Sequence, residues 1–297
     1  MKKIIALLIL FALAGSLSGC GRGLFGLDLG FGNSFVYDHA GKYTTGDGEI
    51  DGTVKKLDID WLSGSVSVVA GNGDSVLIRE AAGGKIDKDM RVHWWLDGTT
   101  LRVKFCASGL KPRIYHGKKD LTVTVPETLS LSAISVDSAS AEVSVLGASM
   151  DELSVDTASG AIRVDTECGL ESLRTDSASG EQDIKVRSAV SAELDAASGK
   201  ISLTADTVRS LDIDTASGDV PCKLRKTPDD GSIDTASGKV AVVLPEDAAF
   251  TLKLSTASGK MNSDFAMKKS GSTYVCGSGD GRLHIDTASG AVSLFAE

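Results

Sequence analysis

A five-residue motif recurs through the second half of the chain and is the strongest constraint on its fold. The motif starts as Asp-Ser-Ala-Ser-Ala at residues 137–141 and continues mainly as Asp-Thr-Ala-Ser-Gly. Its copies end at residues 141, 160, 180, 199, 218, 238, 259 and 290, in steps of 19, 20, 19, 19, 20, 21 and 31 residues. Such a period is typical of a repeat protein, in which each repeat packs on its neighbours. Residues 60–64 (Asp-Trp-Leu-Ser-Gly) have the features of a ninth, divergent copy.

Apolar and polar residues alternate on both sides of the motif. Leu153 and Val155 precede the corner at Gly160, while Ile162 and Val164 follow it, and other copies keep this spacing. A period of two predicts two short strands joined at the motif. One repeat cannot bury its own apolar face, whereas stacked repeats can, with equivalent positions about 4.8 Å apart. We therefore predict an all-β fold in which residues 131–297 form a parallel β-solenoid, a β-helix-like repeat of 19–20 residues per coil.

Each position of the motif has a predicted structural role at the corner of a coil. Glycine permits a positive φ and a close approach of two backbones. The recurrent alanine suits an inward position where nothing larger fits, and the serine and aspartate can accept hydrogen bonds from turn amides. This predicted turn ladder comprises Asp137, Asp156, Asp176, Asp195, Asp214, Asp234, Asp286, Gly160, Gly180, Gly199, Gly218, Gly238, Gly259 and Gly290.

The row of aspartates has an alternative interpretation as a cation site. Carboxylates at this spacing repel by roughly 1 kcal/mol in water and about 3–4 kcal/mol at an effective dielectric constant of about 20, so a partly buried row would hold protons or share cations. Calcium suits such rows. One carboxylate per coil makes a poor cage, however, and the glycine–aspartate repeat of calcium-binding β-rolls is absent from the sequence. We therefore favour structural turns and expect no metal and no cofactor.

Two coils depart from the pattern of the repeat. Gln182 stands where other copies have an apolar inward residue. Pro221 removes a hydrogen-bond donor from a strand that should have neighbours on both sides. Together with the polar run from Arg225 to Asp230, this proline predicts an irregular coil at residues 219–231.

Residues 51–130 are predicted as an N-terminal β region that is less regular than the repeat. Strand-like segments flank Asn72-Gly73 and Asp97-Gly98, and such dipeptides are strong signals for β-hairpins. Trp94 and Trp95 face opposite sides of one strand, so we expect one in the core and the other exposed. The exposed tryptophan is either a ligand platform or, in our preferred interpretation, a packing residue.

The N-terminus has the features of a bacterial lipoprotein signal. Two lysines precede an apolar run of eleven residues at 4–14, which is shorter than the roughly 20 residues of a membrane span but suits a secretory signal. Leu-Ser-Gly-Cys20 resembles a lipobox, in which cleavage precedes the cysteine and the cysteine is acylated. We predict a signal peptide at 1–19, lipidation of Cys20 and a glycine-rich spacer at 20–50, which would anchor the protein to the cell membrane outside the cytoplasm, at the cell surface.

Charge and residue types exclude several functions. The chain has 31 Lys and Arg against 40 Asp and Glu, and loss of two lysines with the signal peptide leaves 29 against 40, a charge of −11. Such an acidic protein lacks a basic footprint for nucleic acid and is repelled by anionic headgroups, so the lipid is the predicted membrane contact. The four histidines show no ligand spacing, and no serine is singled out for a catalytic triad. We predict a protein that is not an enzyme and has no catalytic residues.

Three segments carry a resemblance to a known family. Residues 59–66 (Ile-Asp-Trp-Leu-Ser-Gly-Ser-Val), residues 93–101 (His-Trp-Trp-Leu-Asp-Gly-Thr-Thr-Leu) and the motif series occur in the same order as in the "putative adhesin" family of the DUF4097 type. The likeness covers roughly residues 45–297. It implies a right-handed-solenoid-like β fold on the cell surface, and it brings no established catalytic residues.

Three functions are compatible with these features. The first is an adhesin-like or envelope-binding protein, with cell-wall glycan, host glycan or a surface protein as partner. The second is a structural or signalling component of an envelope-stress system that acts through a membrane-protein partner, because some relatives are associated with such systems. The third, a glycan-active β-helix enzyme, is disfavoured because no coil breaks the pattern with clustered acids, bases and aromatic residues.

The remaining cysteines provide a test of the coil register. Cys106, Cys168, Cys222 and Cys276 could form two disulfides in a secreted protein. Stacking places Cys168 and Cys222 three coils apart, about 14 Å, whereas a disulfide needs Cα atoms within about 7 Å. We therefore predict mostly free, buried thiols. Mass spectrometry of the unreduced protein should find no Cys168–Cys222 bridge, and such a bridge would refute this register.

Overall fold

The computed structural model describes residues 29–30, 34–111 and 118–297. Within these ranges the regular structure is β apart from two 3₁₀ turns, at Ala40–Lys42 and Lys88–Met90. None of the helical segments in the described residues has the length and apolar character needed to cross a membrane. The predicted signal peptide at 1–19 and the predicted lipidation site Cys20 lie outside the described residues.

The chain forms two compact units, which divide between Glu167 and Cys168. The strands of the first unit are β1 (Leu29–Gly30), β2 (Ser34–Phe35), β3 (Thr44–Thr45), β4 (Gly48–Ile50), β5 (Lys56–Trp61), β6 (Gly64–Gly71), β7 (Val76–Ala82), β8 (His93–Asp97), β9 (Thr100–Lys104), β10 (Lys119–Pro126), β11 (Ser130–Ser138), β12 (Glu142–Leu146) and β13 (Ser149–Thr157). A long strand, β14 (Ile162–Ser177), starts in the first unit and ends in the second. The second unit continues with β15 (Gln182–Ala196), β16 (Ile201–Thr215), β17 (Val220–Leu224), β18 (Asp230–Thr235), β19 (Val240–Leu244), β20 (Phe250–Thr256), β21 (Met261–Ser263), β22 (Lys268–Ser270), β23 (Thr273–Cys276), β24 (Gly281–Thr287) and β25 (Val292–Ala296).

Parallel pairing in register builds the solenoid of the first unit. β11 pairs with β5 and with β13, so that Asp137 lies opposite both Asp60 and Asp156. β12 pairs in the same way with β6 and with the start of β14. The divergent copy at 60–64 is therefore a corner of the solenoid, as predicted. These pairings join the N-terminal β region to the first repeats, so the structure does not divide at the predicted boundary between residues 130 and 131.

The second unit follows the same rule over longer strands. β16 pairs in parallel with β15 on one side and with β17 and β18 on the other, and β18 pairs with β24. Leu194, Ile213, Ile233 and Ile285 lie in register across these strands and are 0% exposed. Because inward residues alternate with outward ones, the core is one apolar column along the stack. The predicted all-β, parallel β-solenoid is confirmed.

The order of the coils in space differs from their order in the chain at one end of each unit. In the first unit, β5 lies between β11 and β9, so the coil that contains β9 and β10 is outermost although β5 precedes it in sequence. In the second unit, β24 lies between β18 and β20, so the last motif copy stacks before the copy that ends at Gly259. Simple stacking in chain order, which the period suggested, therefore fails for these two coils.

Antiparallel strands cover the outermost coils. In the first unit β8 pairs with β9, and β7 pairs with β10, both antiparallel. In the second unit β23 pairs antiparallel with β20 and is covered in turn by β22. An open strand edge invites pairing with another chain, and these antiparallel additions remove that opportunity.

A hydroxyl and a close backbone approach shape most corners of the coils, although Ala196 takes the place of the hydroxyl residue before Gly199. The Thr157 hydroxyl accepts a hydrogen bond from the Gly160 amide at 3.0 Å. The same bond recurs at Ser138–Ala141, Ser177–Gly180, Thr215–Gly218, Thr235–Gly238, Thr256–Gly259 and Thr287–Gly290. A Cβ atom on Gly199 would overlap the carbonyl oxygen of Gly180 in the neighbouring coil, and Gly218 and Gly238 are equally crowded. Glycine is needed because adjacent corners stack backbone on backbone.

These corners correct the predicted roles of the motif residues. The buried inward residue is the threonine or serine after the aspartate, because its hydroxyl satisfies the corner amide, while the recurrent alanine is half-exposed in most copies. The aspartate lies on the outward face, next to this inward residue. The motif serine donates rather than accepts, as when the Ser140 hydroxyl bonds the Leu62 carbonyl oxygen at 3.1 Å. Among the described corners, Gly64 alone has the expected positive φ, at 98°.

Residues 34–50 belong to the folded unit, so the predicted spacer is wrong for this stretch. Phe35 is 3% exposed, and its amide donates to the Leu110 carbonyl oxygen at 2.8 Å. β3 pairs with β8, and β4 pairs with β7. The stretch is held because these short strands complete the antiparallel cover of the first unit.

Of the two predicted hairpins, one is confirmed and one is wrong. β8 and β9 form the hairpin around Gly98, whose φ is 61°. The hairpin at Asn72-Gly73 does not form, because β10 lies between β6 and β7 and pairs with both. Parallel stacking on β6 extends the solenoid by one coil, which a direct β6–β7 pairing would prevent.

The two unusual coils are more regular than predicted. Pro221 lies in β17, which pairs with β16 and β19, and pairing with β16 starts at Cys222, so the missing donor falls at the end of a ladder. Irregular backbone is confined to residues 225–229. Gln182 is buried, and its amide group donates to the Asp195 carbonyl oxygen at 2.6 Å while accepting from Thr175.

Substitution of one corner glycine should measure the cost of losing the close approach. We expect Gly199→Ala to lower the free energy of unfolding by about 2 kcal/mol or more, because its Cβ has no room beside the Gly180 carbonyl. Urea unfolding followed by circular dichroism gives the value. Gly83→Ala is the matched control, since nothing lies within 4 Å of a Cβ there. Equal stability of the two variants would contradict the account of the corners.

Candidate functional site

The predicted aspartate row lies on the outward face of the coils. In the first unit Asp60, Asp137 and Asp156 are opposite one another. In the second unit the row runs through Asp195, Asp214, Asp234 and Asp286 in register. Asp176 lies one motif earlier in the same unit and acts electrostatically on Asp195. The structure therefore aligns the predicted residues within each unit as outward side chains.

A lysine terminates the row in the first unit. Lys104 in β9 lies opposite Asp60, and its ammonium forms ion pairs with Asp60 and, at 3.4 Å, with Asp58. Burial raises the pKa of Asp60, and Lys104 opposes that rise. The next carboxyl along the row, Asp137, has its pKa raised to about 7 by burial first and by Asp60 and Asp156 second. Lys104 of the outer coil thus neutralises the charge of Asp60 at the end of the row, while Asp137 in the interior of the row keeps a raised pKa.

The second unit shows the same loss of acidity within its row. Burial, followed by the charges of Asp176, Glu193 and Asp214, raises the pKa of Asp195 to about 7. Arg174 opposes this rise through a distant contact of 3.9 Å with the Asp195 carboxylate. At the far end the row stops at a neutral residue, because Ser255 lies opposite Asp286.

The stacked carboxylates do not converge on a point. Across the described residues, no group of three or more His, Cys, Asp or Glu side chains could hold a metal ion. A single carboxylate per coil gives a line, and a line of this kind provides one or two oxygens at any position. The arrangement supports proton binding within the row better than metal coordination.

A second feature, an aromatic pocket, lies beside the basic end of the row in the first unit. It has a volume of about 320 Å³ and contains the rings of Tyr37, His39, Tyr43 and Trp95. Tyr37 and Tyr43 have ring centroids 4.7 Å apart, and Tyr43 meets Trp95 edge to face at 5.7 Å. His39 lies 5.6 Å from Trp95. These rings form a continuous wall, which we call the aromatic pocket together with the charged residues described next.

Four charged residues complete the aromatic pocket: Asp38, Asp97, Arg102 and Lys104. The Arg102 guanidinium donates through Nε to Asp97 at 3.2 Å and also pairs with Asp58. Two acids and two bases thus line the pocket, and the two bases are paired with Asp97 and with Asp58 and Asp60 behind it. A concave, partly apolar space with a few fixed polar groups is the usual form of a small-molecule site.

The tyrosines are poor proton donors to a reaction. Burial raises the pKa of Tyr43 to about 12, and it also raises the pKa of Tyr37. The Tyr37 hydroxyl donates to the Cys106 carbonyl oxygen at 3.1 Å, which holds the ring in place. The pocket is therefore equipped to bind through rings and hydrogen bonds.

Sequence reasoning missed this pocket because it assigned residues 20–50 to a spacer. A signal was present, since two of the four tyrosines, Tyr37 and Tyr43, lie within seven residues beside a histidine. Trp94 and Trp95 are both half-buried, where one core and one exposed ring were expected. The Trp94 ring packs on Gly48, and its indole nitrogen donates to the Gly46 carbonyl oxygen at 2.9 Å.

The described cysteines and His93 lie mainly in buried positions. Cys106, Cys222 and Cys276 are buried and Cys168 is half-buried. Burial raises the pKa of Cys106 and of Cys222 to about 12, which keeps both as unreactive thiols. In buried His93, Nδ1 donates to the Arg91 carbonyl oxygen at 2.8 Å and Nε2 lies 3.1 Å from the Thr45 hydroxyl. Burial lowers the pKa of this histidine.

A family model now identifies the architecture. The model described as Toastrack DUF4097 matches residues 45–294. The chain belongs to the Toastrack family. The match starts after Tyr43 and spans both compact units.

Solved structures resemble this Toastrack chain at low sequence identity. A "putative adhesin" of Parabacteroides distasonis is 14% identical, with a TM-score of 0.55, over 85% of this chain and 97% of its own. A "putative lipid binding protein" of the same organism is 14% identical, with a TM-score of 0.49, over 84% and 96%. A "putative cell adhesion protein" of Clostridium sporogenes is 12% identical, with a TM-score of 0.26, over 86% and 100%. The first supports the fold. No curated protein matches the chain.

The aspartate rows predict a specific pH dependence of stability. Asp137 and Asp195 ionise near pH 7 in the folded protein and near their ordinary pKa of 3.8 in the unfolded chain. The folded state therefore holds extra protons between these values, so the stability they contribute is full below about pH 4 and is lost as the pH rises through 7.

Replacement of these aspartates by asparagine should remove the loss of stability at high pH. We expect Asp137→Asn and Asp195→Asn each to raise the thermal midpoint by about 2–4 °C at pH 8 and to change it little at pH 4.5. Asp183→Asn, at an exposed position of β15, is the control. Calorimetry at both pH values decides, and an equal effect of the row variants at pH 4.5 and pH 8 would contradict the assignment.

Proposed function

We propose that this Toastrack protein is a non-enzymatic, lipid-anchored protein outside the cytoplasm that acts as an adhesin-like or envelope-binding module. The observation that carries the proposal is the aromatic pocket, an open site built on the outermost coil of a rigid solenoid. Its rings offer contact area, and its fixed ion pairs offer hydrogen bonds. Aromatic side chains with a polar partner are enriched at binding surfaces.

The chemistry of the described side chains supports binding over turnover. The bases Arg102 and Lys104 are engaged by carboxylates, and Tyr43 has a raised pKa. General acid–base catalysis works best with groups that titrate near the operating pH. The aspartates that do titrate near pH 7 stand in rows on the coil face.

The anchoring part of the proposal rests on the sequence. The lipobox-like segment ends at Cys20, and the mature charge of −11 disfavours direct contact with anionic headgroups. A lipid on Cys20 would hold the protein at the membrane while the solenoid presents the pocket.

Replacement of the predicted lipid attachment residue tests the anchor. We expect Cys20→Ala to move the protein from the membrane fraction to the soluble fraction and to abolish incorporation of labelled palmitate. Cys168→Ala, which removes a half-buried thiol within the solenoid, is the matched control. Retention of Cys20→Ala in the membrane fraction would overturn the lipid anchor.

Binding to the cell envelope can be measured by co-sedimentation. Residues 21–297 are incubated with isolated cell-wall sacculi, with calcium or with a chelator, and we expect saturable binding in both conditions. Trp95→Ala should reduce binding about tenfold, whereas Phe295→Ala, at an exposed ring 44% accessible in the second unit, should not.

Each other outcome has a defined meaning. Absence of saturable binding would sink attachment to the wall and direct the search to a membrane-protein partner of the envelope-stress type. Binding lost with chelator but unchanged in Trp95→Ala would move the site from the aromatic pocket to the aspartate rows.

A further inference from the structure

The strained backbone at His39 is the first sign that the aromatic pocket is more than packing. His39 has a φ of 56°, and among the described residues it alone has a positive φ without being glycine. The turn that follows is closed by the Lys42 amide donating to the His39 carbonyl oxygen at 2.8 Å. This conformation carries a free-energy cost, and it places the exposed imidazole against Trp95.

The aromatic wall fits the apolar face of a sugar ring. Tyr37, Tyr43 and Trp95 touch one another in series, with centroid separations of 4.7 and 5.7 Å. One side of a pyranose consists of C–H groups, and such a side packs against the face of an aromatic ring. The Lys42 ammonium lies over the Trp95 ring, 4.9 Å from its centroid. Trp95 is still half-exposed, which leaves ring surface for this contact.

The polar groups of the pocket fit hydroxyl groups. Arg102 has five N–H donors and uses them toward Asp97 and Asp58, which leaves donors for a ligand. The Tyr43 hydroxyl can donate or accept, and the carboxylates of Asp38 and Asp97 accept. A hydroxyl both donates and accepts, so neighbouring hydroxyls on one ring can satisfy such alternating partners.

Charge decides the class of ligand. Two acids and two bases line the pocket, and the bases are already paired with Asp58 and Asp60 behind it. An anionic ligand would have to compete with those carboxylates for Arg102 and would be repelled by them. A quaternary ammonium is disfavoured too, since the Lys42 ammonium already lies 4.9 Å from the centroid of the Trp95 ring and would repel it. A neutral ligand meets neither obstacle.

We propose that the aromatic pocket binds a neutral hexose unit of a glycan, with Trp95 as the stacking platform and Arg102, Tyr43 and Asp97 as hydrogen-bonding partners. The inference rests on the proposed envelope-binding function and names the ligand class for that site. The volume of about 320 Å³ lies at the lower end of the range of small-molecule sites, as a site for one sugar unit should.

Titration with defined oligosaccharides tests the proposal. Residues 21–297 are titrated with cellotetraose, mannotetraose and chitotetraose by calorimetry and by ligand-observed NMR. We expect at least one neutral probe to bind with a dissociation constant between roughly 10 μM and 1 mM. Inorganic phosphate and oligogalacturonate should neither bind nor compete.

Two variants place the sugar in the pocket. Trp95→Ala should weaken binding at least about tenfold, and Tyr43→Phe, which keeps the ring and removes the hydroxyl, about threefold or more. Phe295→Ala should bind as the original chain does, and thermal unfolding of each variant shows whether the fold is kept. Because Tyr43→Phe preserves the packing, it remains informative if Trp95→Ala proves unstable.

The proposal is overturned if no neutral probe binds at 10 mM, if phosphate or oligogalacturonate displaces the sugar, or if both pocket variants bind unchanged. Its failure is distinguishable from failure of the proposed function. Sacculus binding that depends on Trp95 but is not competed by any neutral sugar leaves the envelope-binding function standing and rejects the hexose.

Discussion

The backbone contact at the corner of each coil is the constraint from which the rest of the structure follows. At Gly199, Gly218 and Gly238 a side chain of any size would overlap the carbonyl oxygen of the adjacent corner. At Gly218 and Gly238 the corner amide donates to the Thr hydroxyl three residues earlier, whereas Gly199 has Ala196 at that position. Glycine therefore allows the backbones of adjacent corners to approach, and the hydroxyl satisfies the corner amide. The repeat has a fixed period because every coil must bring its corner to the same position in the stack.

In-register stacking also brings aspartates of adjacent coils together. The two units differ in the residue that ends each row of aspartates. In the first unit Lys104 lies opposite Asp60 in the adjacent strand, so the row of aspartates ends at a cation. In the second unit the row ends at Ser255, and Arg174 offers only a distant contact to Asp195. Burial and the neighbouring carboxylates raise the pKa of the interior residues Asp137 and Asp195 to about 7. Stacking of aspartates thus favours proton uptake, and this uptake couples the predicted stability of the fold to pH.

The parts of the fold that a sequence predicts are those that the repeat specifies. The strands, their inward residues and the divergent corner at 60–64 all follow from a period of two inside a period of 19–20 residues. The role of each motif residue cannot be predicted from the period. Thr157 and Asp156 can both cap a turn, and only the direction of each side chain in the structure distinguishes them. The order of the outermost coils does not follow either. β10 and β24 insert beside strands that are distant in sequence, and periodicity carries no information on such insertions.

The candidate site lies where the repeat stops, and this explains both its chemistry and why it escaped prediction. Within the stack every outward position is duplicated in the next coil, so the repeat makes rows and cannot make a pocket with one tryptophan, one arginine and two tyrosines. The outermost coil of the first unit is free of that restriction on one side, because antiparallel β8 and the segment at 34–50 cover it instead of another repeat. Trp95 comes from the first of these and Tyr43 from the second, while Arg102 and Lys104 come from the coil itself. The segments that cover the last strand edge therefore bring residues of different kinds together. A binding site can evolve there without disturbing the corners on which the solenoid depends.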